Sequence, residues 1–140
     1  MRKPPDPPDP PSGLTAVDPR LWAKVWGRVQ ADPSVKVTGF ALLIWADYKS
    51  GANIRPGNSL LMRVTGIRSD KTVRDALGKM RDDWGLIWRY REGSKAAYIV
   101  KPDGTKVRPA DEYRLTFPDD ISGIPLMDPD WLVPDDPPCE

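Results

Sequence analysis

The stretch GNSLLMRVTGIRSDKTVRDALGKMRDDWGLIWRYREGSKAAY, residues 57–98, carries the clearest structural pattern in this chain. It predicts a short helix and then a turn at Gly66, where a residue with a positive φ is commonly needed. Ser69 caps a second helix, which is predicted over residues 69–82. The helical spacing then gives way to the alternation of a basic β-strand over residues 86–91. The predicted order is therefore helix, turn, helix and strand.

The second helix of this stretch has one apolar and one charged face. Its apolar residues recur at the spacing that lines one side of a helix, so they are predicted to face the core. These inward residues are Val73, Ala76, Leu77 and Met80. The residues left facing outward are Asp70, Lys71, Arg74, Asp75 and Gly78.

Two more helices are predicted before this stretch. The first covers residues 19–31, with Asp18 as its cap and a proline in its first turn, and it ends before Pro33, which cannot continue it. The next, over residues 36–48, is apolar nearly all round, as expected for a buried first helix of the core. A loop rich in Gly, Asn and Ser follows, in which residues 53–55 can form a short strand.

Two tryptophans make the helix over residues 19–31 unusual. Trp22 and Trp26 are spaced i, i+4 and form a large apolar patch for a short helix. We expect them to lie in the core, packed on the next helix. The alternative is that this helix forms the seam of a homodimer.

β-structure dominates the chain after the strand at residues 86–91. A turn at residues 92–94 is followed by a second hairpin, formed by residues 97–100 and 105–108. A closing strand over residues 112–117 alternates apolar and polar side chains. The fold class predicted from these elements is α+β.

Both ends of the chain differ in composition from this middle part. Residues 1–18 are dominated by Pro and Asp, which predicts a disordered or polyproline-like arm. Residues 118–140 mix acids, prolines and a few apolar residues, and no independent fold is expected there. The predicted domain therefore covers residues 19–117.

The net charge of +1 conceals an asymmetry along the chain. Residues 19–117 contain 19 Lys and Arg against 10 Asp and Glu, a balance of +9, whereas residues 118–140 carry seven acids and no basic residue. A basic body with an acidic tail favours a nucleic-acid-binding protein. The plainer interpretation is that both charge blocks keep the protein soluble.

The composition argues against catalysis and metal binding. There is no histidine, and the single cysteine, Cys139, excludes both an intramolecular disulfide and a Cys-based metal site. No nucleophile–base pair or phosphate-binding loop is present, so we expect no enzyme, no metal and no cofactor. No apolar run is long enough to span a bilayer and the start lacks a signal-peptide pattern, which predicts a cytoplasmic protein without a membrane partner.

The ordered run over residues 38–118 resembles the winged helix-turn-helix DNA-binding proteins of actinobacteria and of their phages and integrative elements. The resemblance rests on ADYKSGANIRP, NSLLMRVTG, S-x-x-TV from Ser69, WGLI, and Y-R-L-T-x-P at the end of the last strand. It implies a three-helix core with an extra N-terminal helix and an extended β-wing. It also implies that the helix over residues 69–82 is a recognition helix in the major groove of double-stranded DNA.

Within this resemblance, Arg74 is the best candidate for a base contact, because its guanidinium can bridge the two acceptors of guanine. Arg68 and Lys71 lie at the start of the helix and are candidates for phosphate or base contacts. Ser69 and Thr72 can donate to phosphate oxygens. In the wing, Arg89, Arg91 and Lys95 are candidates for contact with the backbone or the minor groove. Three more basic residues follow further along the wing: Lys101, Lys106 and Arg108.

Two acids and several aromatic residues need their own interpretation. Asp70 and Asp75 are unfavourable near phosphates unless they accept from a cytosine amino group or hold Arg74 in place. Trp84 and Trp88 are expected to pack the wing onto the recognition helix. The tyrosines expected to pack within the sheet are Tyr90, Tyr98 and Tyr113.

Three functions follow from these patterns. The first is a sequence-specific DNA-binding protein, a transcriptional regulator of a phage or mobile element. The second is a winged-helix protein-interaction module, such as a phage factor that binds a host protein through the Trp-rich helix or the acidic tail at residues 118–140. The third is an accessory factor in replication or excision of a mobile element.

Overall fold

The computed structural model describes residues 7–95 and 97–127 of the chain. These residues form four α-helices and a small antiparallel sheet, so the predicted α+β class is confirmed. The elements in chain order are β1 (Leu14–Ala16), α1 (Pro19–Trp26), α2 (Pro33–Leu42), α3 (Asn58–Thr65), α4 (Asp70–Gly78), β2 (Ile87–Arg91), β3 (Ile99–Val100), β4 (Lys106–Val107) and β5 (Glu112–Pro118). A π-helical turn, Lys79–Asp83, follows α4, and a 3-10 turn, Gly93–Lys95, follows β2.

Three local signals in the sequence are confirmed at helix ends. The carboxylate of Asp18 accepts a hydrogen bond from the backbone N–H of Leu21 at 3.0 Å and caps α1. The hydroxyl of Ser69 accepts from the N–H of Thr72 at 3.3 Å and caps α4. Gly66 ends α3 with a φ of 80°, in the left-handed region that glycine adopts without strain.

Helix α1 is shorter than predicted, because it ends at Trp26 instead of near residue 31. Val29 has left the helix and forms an antiparallel bridge with Leu126. The ammonium group of Lys36 donates to the carbonyls of Trp26, Gly27 and Val29, at and just after the last residue of α1. Contacts with distant parts of the chain therefore set this boundary.

Helix α2 covers Pro33–Leu42 instead of residues 36–48. Pro33 begins it, because a proline fits the first turn of a helix. The prediction that this helix is buried all round is wrong: Val37, Phe40 and Ile44 are 39%, 42% and 63% exposed. Its buried side consists of Val35, Thr38, Gly39, Ala41 and Leu42.

Helix α4 ends at Gly78, before the predicted residue 82, and the chain continues through the π-helical turn. In that turn the N–H of Trp84 bonds to the carbonyl of Lys79 at 3.2 Å. The wider turn brings both Met80 and Trp84 into the core. The inward set predicted for this helix is confirmed, since all four of its members are buried: Val73, Ala76, Leu77 and Met80.

Three tryptophans form the centre of the core. The rings of Trp22 and Trp26 stack with centroids 5.1 Å apart, and Trp84 lies tilted against Trp26 at 6.2 Å. The indole N–H of Trp22 donates to the carbonyl of Leu86 at 2.7 Å. A Cβ at Gly39 would lie 2.2 Å from the Trp26 ring, so only glycine allows α2 to approach this closely.

The burial of these rings also decides between the two interpretations of the first helix. Trp22 and Trp26 are each 0% exposed within a single chain. They belong to the core, as expected, and are not available to a second copy. The alternative of a homodimer seam formed by these tryptophans is therefore wrong.

Strand β5 is the centre of the sheet, between β1 and β2. β2 pairs antiparallel with it from Ile87 opposite Leu115 to Arg91 opposite Glu112, with a shift of register in between. On the edge of β5 opposite β2, Ile54 exchanges two backbone hydrogen bonds with Tyr113. Ile54 lies in the segment, residues 53–55, that is predicted to form a short strand. β3 and β4 form a separate two-stranded ribbon in the connection between β2 and β5, which confirms the predicted second hairpin.

The described parts of the two chain ends contact the domain. Leu14–Ala16 pairs with β5, so the prediction of a disordered arm over residues 1–18 is wrong for this strand. The strand supplies partners for backbone groups of β5 that would otherwise be unpaired. After β5, the N–H of Met127 bonds to the carbonyl of Arg28 at 2.7 Å, which ties residues 118–127 to the end of α1. Residues 1–6 and 128–140, which include most of the predicted acidic tail, lie outside the described residues.

Candidate nucleic-acid interface

The outer face of α4, by which we mean Asp70, Lys71, Arg74 and Asp75, is exposed as predicted. The side chain of Lys71 is 76% exposed and that of Arg74 is 63% exposed. The opposite side of the helix is fixed by its buried apolar residues, so this face cannot turn inward. The helix therefore presents a charged surface of constant orientation.

Two ion pairs run along this face at i, i+4 spacing. Arg74 Nε lies 2.8 Å from a carboxylate oxygen of Asp70, and Lys71 Nζ lies 2.8 Å from Asp75. All four side chains are more than half exposed. Such pairs are worth about 0.3–0.5 kcal/mol each, so water or another partner can replace them at little cost.

The Asp70 carboxylate also reaches the neighbouring helix. The amide Nδ2 of Asn58, at the start of α3, donates to its second oxygen at 3.2 Å. A hydrogen bond and an ion pair therefore link Asn58, Asp70 and Arg74 in one row across α3 and α4. The sequence suggested that an acid could hold Arg74, but it gave no sign that Asn58 takes part.

The turn between α3 and α4 carries a cation without an acidic partner. Arg68 is exposed and forms no ion pair with any residue in the described ranges 7–95 and 97–127. Arg63, in the last turn of α3, is exposed as well. Ser69 uses its hydroxyl as the cap of α4, and Thr72 follows one turn later. These residues surround the beginning of α4.

The second group of candidates lies at what we call the hairpin base, namely Arg89, Arg91, Glu92, Asp111 and Glu112, where β2 and β5 leave the sheet. Arg89 lies 2.8 Å from Glu92 and 3.5 Å from Asp111, with 27% of its side chain exposed. Arg91 lies 3.1 Å from Glu112, whose side chain is only 10% exposed. This surface is an ion-pair network between the two strands.

Further contacts tie the hairpin base to the rest of the domain. Arg55 lies 3.4 Å from the same oxygen of Glu112 that Arg91 contacts. Asp111 accepts a hydrogen bond from the N–H of Gly93 at 2.6 Å. A Cβ at Gly93 would lie 1.8 Å from the carbonyl oxygen of Pro109, so the two ends of the β2–β5 connection meet here.

Lys95 stands at the edge of this network. Its ammonium group lies 3.2 Å from Glu92, and its side chain is 79% exposed. The hydrogen bond from Lys95, followed by the charge of Arg89, holds the pKa of the Glu92 carboxyl below its usual value. Of the three predicted candidates at the hairpin, Lys95 is thus the most exposed, and Arg89 is the most enclosed.

The ribbon formed by β3 and β4 is exposed along its whole length. The Arg108 guanidinium lies 4.6 Å from the centre of the Tyr98 ring. Tyr98 is 52% exposed, so the expectation that it packs within the sheet is wrong. Lys101 and Lys106 are exposed near the tip, where the chain reverses at Gly104 with a φ of 87°.

The remaining aromatic residues near β2 differ in burial. Trp84 is 6% exposed and packs against Trp26, whereas Trp88 is half-buried and lies 5.5 Å from Tyr90. Tyr113 is 5% exposed, and its burial raises the pKa of its hydroxyl. Burial leaves Trp84 and Tyr113 without a free face for a base.

Sequence reasoning missed the acids that neutralise the hairpin base. Asp111 directly precedes the closing strand and Glu112 begins it. Glu112 stands opposite Arg91 in the antiparallel register, whereas Asp111 reaches Arg89 from the residue before the strand. Within the described residues, no group of three His, Cys, Asp or Glu side chains is arranged to hold a metal ion. No helix in this part of the chain is long and apolar enough to cross a membrane.

The exposed face of α4 with the turn before it, and the hairpin base, each carry basic side chains interspersed with paired acids. No protein-family model, no curated protein and no solved structure matches this chain.

Proposed function

We propose that this chain is a sequence-specific protein that binds duplex DNA through a winged helix-turn-helix domain and acts as a transcriptional regulator of a phage or mobile element. The single observation that carries the proposal is the pair α3–α4. A left-handed glycine ends α3, a serine caps α4, and α4 buries one side while its opposite side carries exposed Lys71 and Arg74. A helix held this way can enter the major groove without unfolding any part of the core.

The arrangement of the strands supports the same assignment. Three helices, α2 to α4, precede the β2–β5 hairpin, and Ile54 adds a bridge to β5 from the loop between α2 and α3. A small antiparallel sheet placed directly after the second helix of a helix-turn-helix is the arrangement of a wing. The β3–β4 ribbon and its turns lengthen that wing beyond a simple hairpin.

In this proposal Arg74 contacts a base edge, and the residues around the start of α4 bind phosphates. The exposed guanidinium of Arg74 can donate to both acceptors of a guanine. Arg68 and Lys71 provide positive charge, and the Thr72 hydroxyl can donate to a phosphate oxygen. Ser69 keeps its structural role as the cap, and its N-terminal position also places free backbone N–H groups near the DNA.

The hairpin is the second contact in this proposal, and the geometry reassigns its candidates. Arg89 is enclosed between two acids, so we assign it to the stability of the hairpin. Lys95 and the ribbon residues Lys101 and Lys106 are exposed and suited to phosphate contact. Arg91 is 57% exposed but paired with the shielded Glu112, so its role is intermediate between hairpin stability and phosphate contact.

The test is binding of the full chain to duplex DNA, first by selection from a random library and then by a salt series on the selected site. We expect affinity to fall steeply as salt rises, since phosphate contacts release counterions. Arg74→Ala should weaken the selected site about tenfold. Arg20→Ala removes an exposed arginine from α1, away from the proposed interface, and serves as the matched control. Absence of binding above background at low salt would overturn the proposal.

A second function is favoured by one specific observation. Val37 and Phe40 on α2, and Ile44 in the turn just after it, expose apolar side chains, as in proteins that bind a helix or loop of a partner. A winged-helix module for protein interaction would use these side chains and not α4. Failure of DNA binding, together with loss of partner capture in Phe40→Ser but not in Arg74→Ala, would favour this alternative. A role in replication or excision shares the DNA-binding surface of the first proposal.

A further inference from the structure

The Asp70 carboxylate joins two helices through one side chain. One oxygen lies 2.8 Å from Arg74 Nε in an ion pair, and the other accepts a hydrogen bond from the amide Nδ2 of Asn58 at 3.2 Å. Asp70 is the first residue of α4, and Asn58 is the first residue of α3. Because both oxygens are engaged from different helices, the carboxylate has less rotational freedom than an acid held at one point.

This geometry favours one direction of the Arg74 side chain. Because the Asp70 oxygen lies beside Nε, the N–H groups of the terminal nitrogens stay available for other acceptors. Those groups form the fork that matches the two acceptors of a guanine edge. A held fork also loses less side-chain entropy on binding than a free one.

The neighbouring ion pair provides the contrast. Among the described residues, the Asp75 carboxylate accepts only from Lys71, at 2.8 Å, and both residues belong to α4. Lys71 has a point charge on a flexible stem and has no fork to orient. Asp70 and Asp75 therefore carry the same charge on the same face but have different surroundings.

We propose that Asp70 is a positioning residue that sets the base specificity of Arg74, with Asn58 holding Asp70 in turn. This inference rests on the proposed DNA-binding function. It assigns opposite effects to one acid: Asp70 lowers the affinity for duplex DNA of any sequence by its charge, and it raises discrimination by aiming the guanidinium. Asp75 has only the first effect.

The experiment compares Asp70→Asn with Asp75→Asn in the full chain. Each variant is titrated with the site selected by the wild-type protein and with sites carrying a single base change at the position that Arg74→Ala renders indifferent. Both variants should bind all duplexes more tightly at low salt, because each removes one negative charge near phosphates. Discrimination at that one position should fall about twofold in Asp70→Asn, the effect expected from an exposed i, i+4 pair, and stay unchanged in Asp75→Asn.

A third variant separates position from charge. Asn58→Ala removes the hydrogen bond to Asp70 and leaves every charge in place. Like Asp70→Asn, it should lower discrimination at that base position. Unlike Asp70→Asn, it should not raise the affinity for duplex DNA of any sequence. Thermal unfolding of each variant, with binding measured well below the midpoint, keeps loss of folding apart from loss of specificity.

The outcomes distinguish the inference from the function on which it rests. If Asp70→Asn and Asp75→Asn bind DNA and discriminate equally, the positioning role of Asp70 is wrong while DNA binding stands. If discrimination is lost in Asp70→Asn but unchanged in Asn58→Ala, then Asn58 does not hold Asp70 in place, and that part of the inference is wrong. If the wild-type chain binds no duplex DNA, the proposed function itself fails.

Discussion

Solvent reaches the arginine–carboxylate pairs on the outer face of α4 and those at the hairpin base to different extents. On α4, Arg74 and Asp70 are 63% and 53% exposed. At the hairpin base, Glu112 is 10% exposed and Arg89 is 27% exposed. Ion pairs of similar length therefore differ in how readily they exchange a partner for water or phosphate, because that exchange depends on solvent exposure.

The difference explains why one region can change partners and the other cannot. Breaking an exposed i, i+4 pair on a helix costs about 0.3–0.5 kcal/mol, which a DNA phosphate or base can easily replace. A shielded carboxylate that loses its cations is left with an uncompensated desolvation cost. The outer face of α4 is therefore suited to recognition, and the hairpin base to holding β2 and β5 in register.

The largest expected effect tests the hairpin base directly. Glu112→Gln keeps the shape of the side chain but removes the charge that Arg55 and Arg91 share. We expect the free energy of unfolding to fall by about 2 kcal/mol, the range for hydrogen bonds to charged groups. Asp75→Asn, the matched change on the exposed face, should lower it by less than about 0.5 kcal/mol. Urea unfolding followed by tryptophan fluorescence measures both, and equal losses would remove the distinction between the two regions.

The next prediction compares the removal of Arg74 with the removal of Arg89, in order to separate DNA recognition from stability. Arg74→Ala should weaken the selected DNA site about tenfold and leave the unfolding midpoint nearly unchanged. Arg89→Ala should lower the free energy of unfolding by about 1 kcal/mol, because Asp111 loses a cation. It should leave discrimination between DNA sequences intact. A larger loss of discrimination in Arg89→Ala than in Arg74→Ala would reverse the assignment of the two arginines.

The same comparison shows what the sequence could predict. The caps at Asp18 and Ser69, the left-handed Gly66 and the inward face of α4 depend on neighbours within one turn, so a local pattern was sufficient. The exposed outer face of α4 followed from the same helical spacing. Local chemistry thus predicted most of the proposed recognition surface.

Features that depend on distant contacts were not predictable in this way. Val29 leaves the helical path for a bridge to Leu126, and this shortened α1. The pairing of Glu112 with Arg91 depends on the register of β2 against β5, which the sequence did not define. The same holds for the contact between Asn58 and Asp70 across α3 and α4. Charge counts therefore overestimated how many cations at the hairpin are free.

A smaller effect concerns Lys95, the exposed lysine at the edge of the hairpin base. Lys95→Ala should weaken binding to all duplexes alike and reduce the slope of log K against log salt by about 1, as expected for a single phosphate contact. The side chain is 79% exposed, so stability should change little. Lys49→Ala, an exposed lysine in the loop after α2, is the matched control and should keep the slope. An unchanged slope in Lys95→Ala would limit the DNA contact to α4 and the ribbon.

The smallest effect is a titration at the edge of the hairpin base. The hydrogen bond from Lys95, and then the charge of Arg89, lower the pKa of Glu92 in the folded protein. A carboxyl whose pKa is lowered by folding stabilises the fold above its unfolded pKa, and that contribution is lost as the pH falls through the folded pKa. The loss therefore belongs to the acidic range below the usual pKa of glutamate, and neutral pH should leave the hairpin unaffected.

Side-chain carboxyl resonances of Glu92, followed by NMR across the acidic range, measure this directly. Lys95→Met should raise the Glu92 midpoint toward its ordinary value, because it removes the largest cause of the shift. Lys71→Met removes a lysine from the exposed face of α4 and should leave that midpoint where it is. If Lys95→Met does not move the midpoint, then Lys95 is solvated like Lys71 and does not belong to the network. The ion pair of Lys95 with Glu92 would then be as exchangeable as those on α4, whereas the pair of Arg89 with Glu92 would remain structural.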